Sequence, residues 1–417
     1  MPSISPADLL VCSGRCSTER DLRLLHAALI RRRHILPTAD AVMVLAKLLR
    51  FAAVSPAGDL RHASSLLSLH LPFISAAASH LAFFYNTLMR GFATSSLPGS
   101  GIELFTAMRR AGVGPDAFTF TFVLKSFSRC HSLGRLPSDL HAQAFKHGCL
   151  GARSSHAHVH NALLHAYASW AAVDDARRVF DEIPVRDVVS FSGLLTAHLK
   201  GNRLDSARTV FDQMPQRDVV SWTAMISACA KAQRPQEALA LFDAMAVQPD
   251  EVTMMLADDN SVKPDGVTLL AVLTVYAHKG FVEEGRTMFN AMQRGNYGKV
   301  ELTIEHYGCM VDLLARAGQL EEAYKMIEQM PIQSNDVVWG VLLGACRMHG
   351  NIDMAEKAVQ KLRSLNPQEG GYYILLIDMY TAAGRTADAT EVRRAMNENG
   401  AKKATGWSSW TTAFLQQ

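Results

Sequence analysis

The pentapeptide Arg-Asp-Val-Val-Ser stands at Arg186 and returns at Arg217, 31 residues on. What precedes it returns with it: ARRVFDEIP, from Ala176 to Pro184, becomes ARTVFDQMP, from Ala207 to Pro215. Self-similarity at a period of about 20–50 residues constrains a fold more tightly than composition does, because it requires one supersecondary unit laid down repeatedly. Each unit then touches its sequence neighbours and little else.

In the unit that starts at Val219, apolar residues fall at Trp222, Met225, Ile226, Cys229 and Ala230. That i, i+3, i+4, i+7, i+8 spacing predicts a helix with one buried face. The preceding unit repeats it with Phe191, Leu194, Leu195, His198 and Leu199, and Ser190 and Ser221 stand where an N-cap hydroxyl is expected. A turn follows, KGN in one unit and KAQRP in the next, where Pro235 suits a first helical position. Ala238, Leu241, Phe242 and Met245 then mark the buried face of a second helix. One hairpin cannot bury both of its apolar faces, so the units are expected to stack into an all-α superhelical array with an inner groove.

The period extends over most of the chain. Units run from Ala82 to Asp116, Ala117 to about His156, Ala157 to Asp187, Val188 to Asp218 and Val219 to Asp250, then from Gly266 to about Glu301 and Ile304 to Asn335. Their lengths alternate between longer and shorter classes. Weaker copies fill 21–81, where ASSLLSLHLP echoes ARRVFDEIP. The stretch 251–265, EVTMMLADDNSVKPD, begins like one unit and ends like another yet is about half a hairpin long. It is expected as an irregular or truncated unit, with a flaw in the stacking beside it. Two further hairpin-like segments form a C-terminal extension over 336–401, and 402–417 are a short tail.

Composition removes several function classes. With 48% hydrophobic and 19% charged residues the chain is ordered, and Lys plus Arg exceeds Asp plus Glu only as 42 against 39. That mild basic balance suits polyanion binding at selected points without demanding it. The seven cysteines are scattered without a Cys-x-x-Cys pair, which argues for reduced thiols and against a disulfide framework or zinc ribbon. Apolar runs such as LLAVLTVYA reach about half the ~18 residues that a membrane span needs, so no membrane partner is expected.

These residues carry a family resemblance. YNTLMRGF…ELFTAMRRAGVGPD, NALLHAYA…ARRVFDEIPVRDVVS and SWTAMISACAKAQRPQEALALFDAM resemble pentatricopeptide repeats, and the mixed lengths resemble the plant subclass that alternates long and short variants. EHYGCMVDLLARAGQLEEAYKMIEQMP, WGVLLGACRMHGNIDMAE and YYILLIDMYTAAGR are similar to the last repeat and paired extension motifs of organellar RNA editing factors. The resemblance spans residues 20 to 410. It implies a right-handed superhelical α-solenoid that binds single-stranded RNA, one base per repeat.

The fifth residue of each unit lies about 100° around the helix from the packed fourth, at the border of the buried face. This row reads Asn86, Thr121, Asn161, Ser192 and Thr223, all small hydrogen-bonding side chains, and the units end on Asp116, Asp187, Asp218 and Asp250. Taken singly, the first set suits helix beginnings and the second suits the positive end of a helix dipole. Taken as pairs, they suit base edges. Ionised Asp only accepts hydrogen bonds, so it matches the ring N–H that uracil and guanine have and cytosine and adenine lack. Asn at position five offers a donor and an acceptor to a pyrimidine, and the shorter Ser or Thr leaves room for a purine, in agreement with the recognition rules that the resemblance implies. The pairs then read uracil at Asn86 with Asp116 and at Asn161 with Asp187, and guanine at Ser192 with Asp218 and at Thr223 with Asp250. Thr121, Leu270 and Gly308 give no legible base.

Other features weigh less. HAHVH sets His156 and His160 four apart, but with no third ligand at useful spacing it reads as a polar loop, and no metal or other cofactor is expected. His141 and His147 on a second helix, and RRRHI at Arg31 to Ile35, are left unassigned. Relatives with a C-terminal zinc deaminase carry His-x-Glu and Pro-Cys-x-x-Cys; here the last cysteine is Cys346, so the chain is expected to be no enzyme and to rely on a deaminase-bearing partner and accessory editing factors. The alternatives are RNA stabilisation, processing or splicing, or a protein-binding scaffold of the tetratricopeptide kind. Serines, arginines and few acids suggest a targeting segment over 1–20, for the mitochondrion or alternatively the chloroplast.

Overall fold

The structure is a computed structural model that describes residues 11–14, 16–31, 39–73, 78–130, 137–150, 157–246 and 263–401. Among them, regular structure is helical, in two compact units, Met1–Gln216 and Arg217–Gln417. The first holds α1 (Glu19–Ile30), α2 (Ala39–Val54), α3 (Leu60–His70), α4 (Ala78–Thr94), α5 (Pro98–Arg110), α6 (Ala117–Ser128), α7 (Ser138–Lys146), α8 (Ala157–Ser169), α9 (Val173–Glu182), α10 (Val188–Lys200) and α11 (Leu204–Asp212), with a 3-10 turn at Leu71–Phe73. The second holds α12 (Val219–Lys231), α13 (Pro235–Ala246), α14 (Gly266–Lys279), α15 (Val282–Gln293), α16 (Ile304–Arg316), α17 (Leu320–Gln329), α18 (Asp336–His349), α19 (Ile352–Leu365), α20 (Gly371–Ala382) and α21 (Thr386–Glu398).

Each unit is a stack of helical hairpins in two layers. In the first, α2, α4, α6, α8 and α10 pack each against the next, while α5 and α9 lie between successive members of that layer. In the second, α12, α14, α16, α18 and α20 do the same, with α13, α15, α17 and α19 behind them. The apolar spacing in the sequence is the cause: Trp222, Met225, Ile226, Cys229 and Ala230 of α12 and Ala238, Leu241, Phe242 and Met245 of α13 are all buried. The all-α solenoid expected from the repeats is the fold observed.

Among the described residues, one turn closes seven of the hairpins. Ala171, Asn202, Gln233, Gly280, Gly318, Gly350 and Gly384 adopt positive φ just past the first helix. The next residue then donates its N–H back five positions, as from Arg203 to the His198 carbonyl, Arg234 to Cys229 and Gln319 to Leu314. This is a Schellman closure, which satisfies carbonyls the helix end leaves free. Several second helices end in one of two ways. Ile183 and Met330 leave in extended conformation ahead of proline, whereas Gly112, Gly148 and Gly295 turn left-handed and lengthen the exit. The extended exits belong to shorter repeats and the left-handed ones to longer repeats.

Three local expectations need correction. Ser190 and Ser221 are not N-caps: the helices begin at Val188 and Val219, the caps are Asp187 and Asp218, and each serine is the third helical residue. The HAHVH segment is no polar loop over its described part, because α8 starts at Ala157 and buries His160; His156 lies outside the described residues. Residues 251–262 of the irregular stretch, and 247–250 before it, also lie outside them. The stacking flaw expected there is absent from the first layer, since α12 packs directly on α14. Of the targeting segment, 1–10 fall outside the described residues, as does the tail 402–417.

Candidate functional site

The aspartates that end the units are helix caps first. Asp116, Asp187, Asp218 and Asp265 each accept the backbone N–H three residues on, at 2.8–2.9 Å, through Oδ1. Capping satisfies a donor that the helix start leaves free and fixes the carboxylate at the helix mouth. The second carboxylate oxygen points elsewhere. Asp116, Asp187 and Asp265 are exposed and Asp218 is half-buried, so these carboxylates can be reached from solvent.

The same carboxylates reach back to the preceding repeat. Asn86 donates its amide N–H to Asp116 at 2.9 and 3.1 Å, and its Oδ1 lies 2.7 Å from the Thr119 hydroxyl, which also faces Asp116. This triad fixes the amide orientation, nitrogen towards the carboxylate and oxygen towards the hydroxyl. Asn161 makes the corresponding but longer bond to Asp187 Oδ2, 3.4 Å. Thr223 lies 3.4 Å from Asp265 Oδ1 and 2.5 Å from the Thr268 hydroxyl. Three of the position-five residues are therefore joined to the acid that opens the next hairpin.

The other members fare differently. Thr121 donates to the Ala117 carbonyl of its own helix, and the end of its unit lies outside the described residues. Ser192 is half-buried in the first compact unit and Asp218 belongs to the second. Asp250 lies outside the described residues.

Two classes of residue at this face escaped the sequence reading. Thr119 and Thr268, both fully buried, hold position five and the acid together, and the signal was present as Asp-x-x-Ser/Thr at the head of unit after unit. Phe83, Phe118 and Val189 in the first compact unit, and Val220 and Val267 in the second, are 48–66% exposed although apolar. Each occupies the second position of its repeat, one residue before the buried third-position hydroxyl in all but the first. Later hairpins change character. His306 takes the hydroxyl's place, accepts from Thr303 N–H at Nδ1 and donates from Nε2 to the Gly266 carbonyl at 2.9 Å. Burial lowers its pKa, which keeps it in the neutral form those two bonds require. Among the described residues no group of three or more His, Cys, Asp or Glu is arranged to hold a metal ion, and no helix is long and apolar enough to cross a membrane.

Comparison with known proteins bears on this arrangement. Residues 82–129 match the PPR repeat family, and 189–219, 220–247, 267–297 and 305–332 each match the PPR repeat. A putative pentatricopeptide repeat-containing protein of Arabidopsis thaliana is 32% identical over 325 residues, which cover 78% of this chain and 40% of that protein. The chain belongs to the pentatricopeptide repeat family. Residues 349–411 of this pentatricopeptide repeat chain match the E motif. Two further Arabidopsis thaliana pentatricopeptide repeat-containing proteins, one named mitochondrial and one chloroplastic, are 30% and 32% identical over 78% of the chain. It spans 44% of the first and 32% of the second. The crystal structure of the pentatricopeptide repeat protein PPR10 from maize superposes with a TM-score of 0.53 at 19% identity, covering 98% of this chain and 60% of that one. That likeness is one of fold.

Proposed function

We propose that the chain is a sequence-specific single-stranded RNA-binding protein that selects a site for C-to-U editing in an organelle, the mitochondrion first and the chloroplast second. The observation that carries the reading is the joint between repeats: a position-five side chain bonded to an exposed carboxylate that caps the next hairpin and still has lone pairs to offer. A carboxylate in that position accepts the ring N–H of uracil or guanine. Exposed Phe and Val one turn-face away suit the flat sides of bases, a contact that tolerates any base and leaves selection to the edge. Asn86 with Asp116 and Asn161 with Asp187 then favour uracil, and Ser192 with Asp218 and Thr223 with its acid favour guanine.

The editing role rests on the E motif match and on the resemblance of the last repeats to editing factors, and the organelle on the names of the relatives. In this role the chain supplies the address, while a deaminase-bearing partner acting in trans, with accessory editing factors, supplies the chemistry. RNA stabilisation, processing or splicing uses the same reading face and is the alternative. RNA sequencing of organellar transcripts with and without the protein decides between them: loss of one editing event supports the proposal, while unchanged editing with altered transcript ends or levels rejects it.

A further inference from the structure

The face that carries the position-five row is also charged, and in the first compact unit its cations surround a histidine. We infer that Lys125, His165 and Lys200 form a site for backbone phosphates of RNA, and that His165 takes up a proton from solvent when the site is filled, so that binding is coupled to pH. This site rests on the RNA-binding function proposed above and concerns the backbone, which base selection leaves unassigned.

Position nine of a repeat lies one helical turn beyond position five and on the same face. In three successive repeats it holds Arg90, Lys125 and His165, which follow Asn86, Thr121 and Asn161 by four residues, and all three are exposed. Because α8 packs between α6 and α10, His165 stands between Lys125 in the last turn of α6 and Lys200 in the last turn of α10. Both lysines act on the ring: desolvation first, then Lys200 and Lys125, hold the His165 pKa below its ordinary 6.5. Among the described residues neither lysine is held in an ion pair, His165 has no hydrogen-bond partner, and no carboxylate offsets the positive charge around it. Arg129 is engaged instead, donating from Nη1 to the Ala93 carbonyl at 2.8 Å. In later repeats position nine holds Thr196, Ser227, Thr274 and Asp312, so the cationic stretch is confined to the first unit.

Such a cluster repels its own proton. With no anion present, an imidazolium between two ammonium groups is disfavoured, and the ring is neutral near pH 7. A phosphodiester is anionic throughout the range in which histidine titrates and accepts hydrogen bonds, so on binding it offsets both lysines and gives a charged ring N–H its acceptor. Both effects raise the His165 pKa in the complex above its value in the free chain. A proton is therefore taken up on binding. Affinity is highest below the pKa of the free chain and declines as pH rises through the pKa of the complex. One cation per repeat, beside one base-selecting residue per repeat, suits a polymer with one negative charge per base and not a single small anion.

The test measures the affinity of the full chain for single-stranded RNA oligonucleotides from about pH 5.5 to about pH 8, with circular dichroism at each pH to verify folding. Wild type is expected to bind roughly tenfold more tightly at the acid end, for about one unit of pKa change on binding, and by the same factor for matched and base-substituted RNA, because the backbone is common to both. His165→Gln should lose this dependence and match wild type at the alkaline end. His165→Lys, whose charge is fixed, should bind tightly at every pH and steepen the dependence of log affinity on log salt by about 0.7 at the alkaline end. His147→Gln, just past the end of α7, should keep the wild-type profile. A wild-type profile no steeper than that of His165→Gln overturns the proton-coupled site and leaves base selection standing. A pH dependence that vanishes on base substitution places the proton at a base edge and overturns the site in the same way. Failure of the wild-type chain to bind RNA overturns both the site and the RNA-binding function.

Discussion

Replacing Asp187 separates its two duties. Its Oδ1 accepts Ser190 N–H at 2.8 Å and caps α10, and its Oδ2 lies 3.4 Å from Asn161 Nδ2 with its remaining surface exposed. Asp187→Ala removes both groups, and loss of the cap costs about 0.5–2 kcal/mol of stability. Asp187→Asn keeps an oxygen for the cap, since Asn caps as well as Asp, and turns an amide N–H₂ outward in place of the acceptor. The ring N–H of uracil then meets a donor and the bare ring nitrogen of cytosine gains one. A base-edge hydrogen bond to a charged group contributes on the order of 1.5 kcal/mol, so the uracil-to-cytosine ratio should shift by about tenfold at that base. Fluorescence anisotropy with oligonucleotides that differ only there measures the shift, and thermal melting reports the cap. The expected result is a cytosine-shifted Asn variant that melts like wild type, and an Ala variant that melts lower and discriminates less. If both variants bind every sequence with equally reduced affinity, Asp187 is a cap and nothing more, and the reading of this face is wrong.

Three further outcomes follow from the same structure. Thr119→Val removes a buried hydroxyl that accepts from Asp116 N–H and faces Asn86 Oδ1, so it should cost about 1–3 kcal/mol in urea unfolding and weaken selection at the Asn86 base. Ala171→Gly and Gln233→Gly relieve side chains held at φ 53 and 57, and each should stabilise by about 0.5–1 kcal/mol, more than Asn202→Gly, where Asn already tolerates the left-handed turn; equal effects at all three sites count against the strain argument. His26 has its pKa lowered to about 4 by burial and by the neighbouring His62 and His70. Its unfolded value is about 6.5, so protons favour the unfolded state, and stability present above pH 6.5 should be lost progressively as pH falls towards 4. His26→Asn should flatten that profile in melts of the full chain.

Much of the fold was legible because a solenoid repeats its evidence. The spacing from Trp222 to Ala230 specifies a buried helical face, and its recurrence at Phe191 specifies the stack. Local rules were less secure where two residues compete for one role. Asp187 and Ser190 can each cap a helix; the carboxylate wins and the serine becomes its partner three residues on, a choice that moves the helix start without altering the apolar pattern. At the site, the row of Asn86, Asn161 and Thr223 was visible as small polar residues in register. The Thr119 and Thr268 clamps were not seen, because a hydroxyl in a first helical turn is common and only the distance to the preceding repeat gives it meaning. Asp265 was missed for a related reason. The sequence period assigns Thr223 to the acid about one repeat on, and only packing of α12 on α14 shows that the period is interrupted while the stack continues.

The central claim is that joints between hairpins select bases, and the affinity of the wild-type chain for RNAs that differ only at the selected positions tests it most directly. On the proposed reading the repeats of Asn86, Asn161, Ser192 and Thr223 select uracil, uracil, guanine and guanine, and that of Thr121 gives no legible base. Replacing both uracils by cytosine and both guanines by adenine removes four base-edge bonds, and even at about 1 kcal/mol each the affinity should fall by a hundredfold or more. Equal affinity for the matched and fully substituted RNAs contradicts the account, whatever the strength of binding.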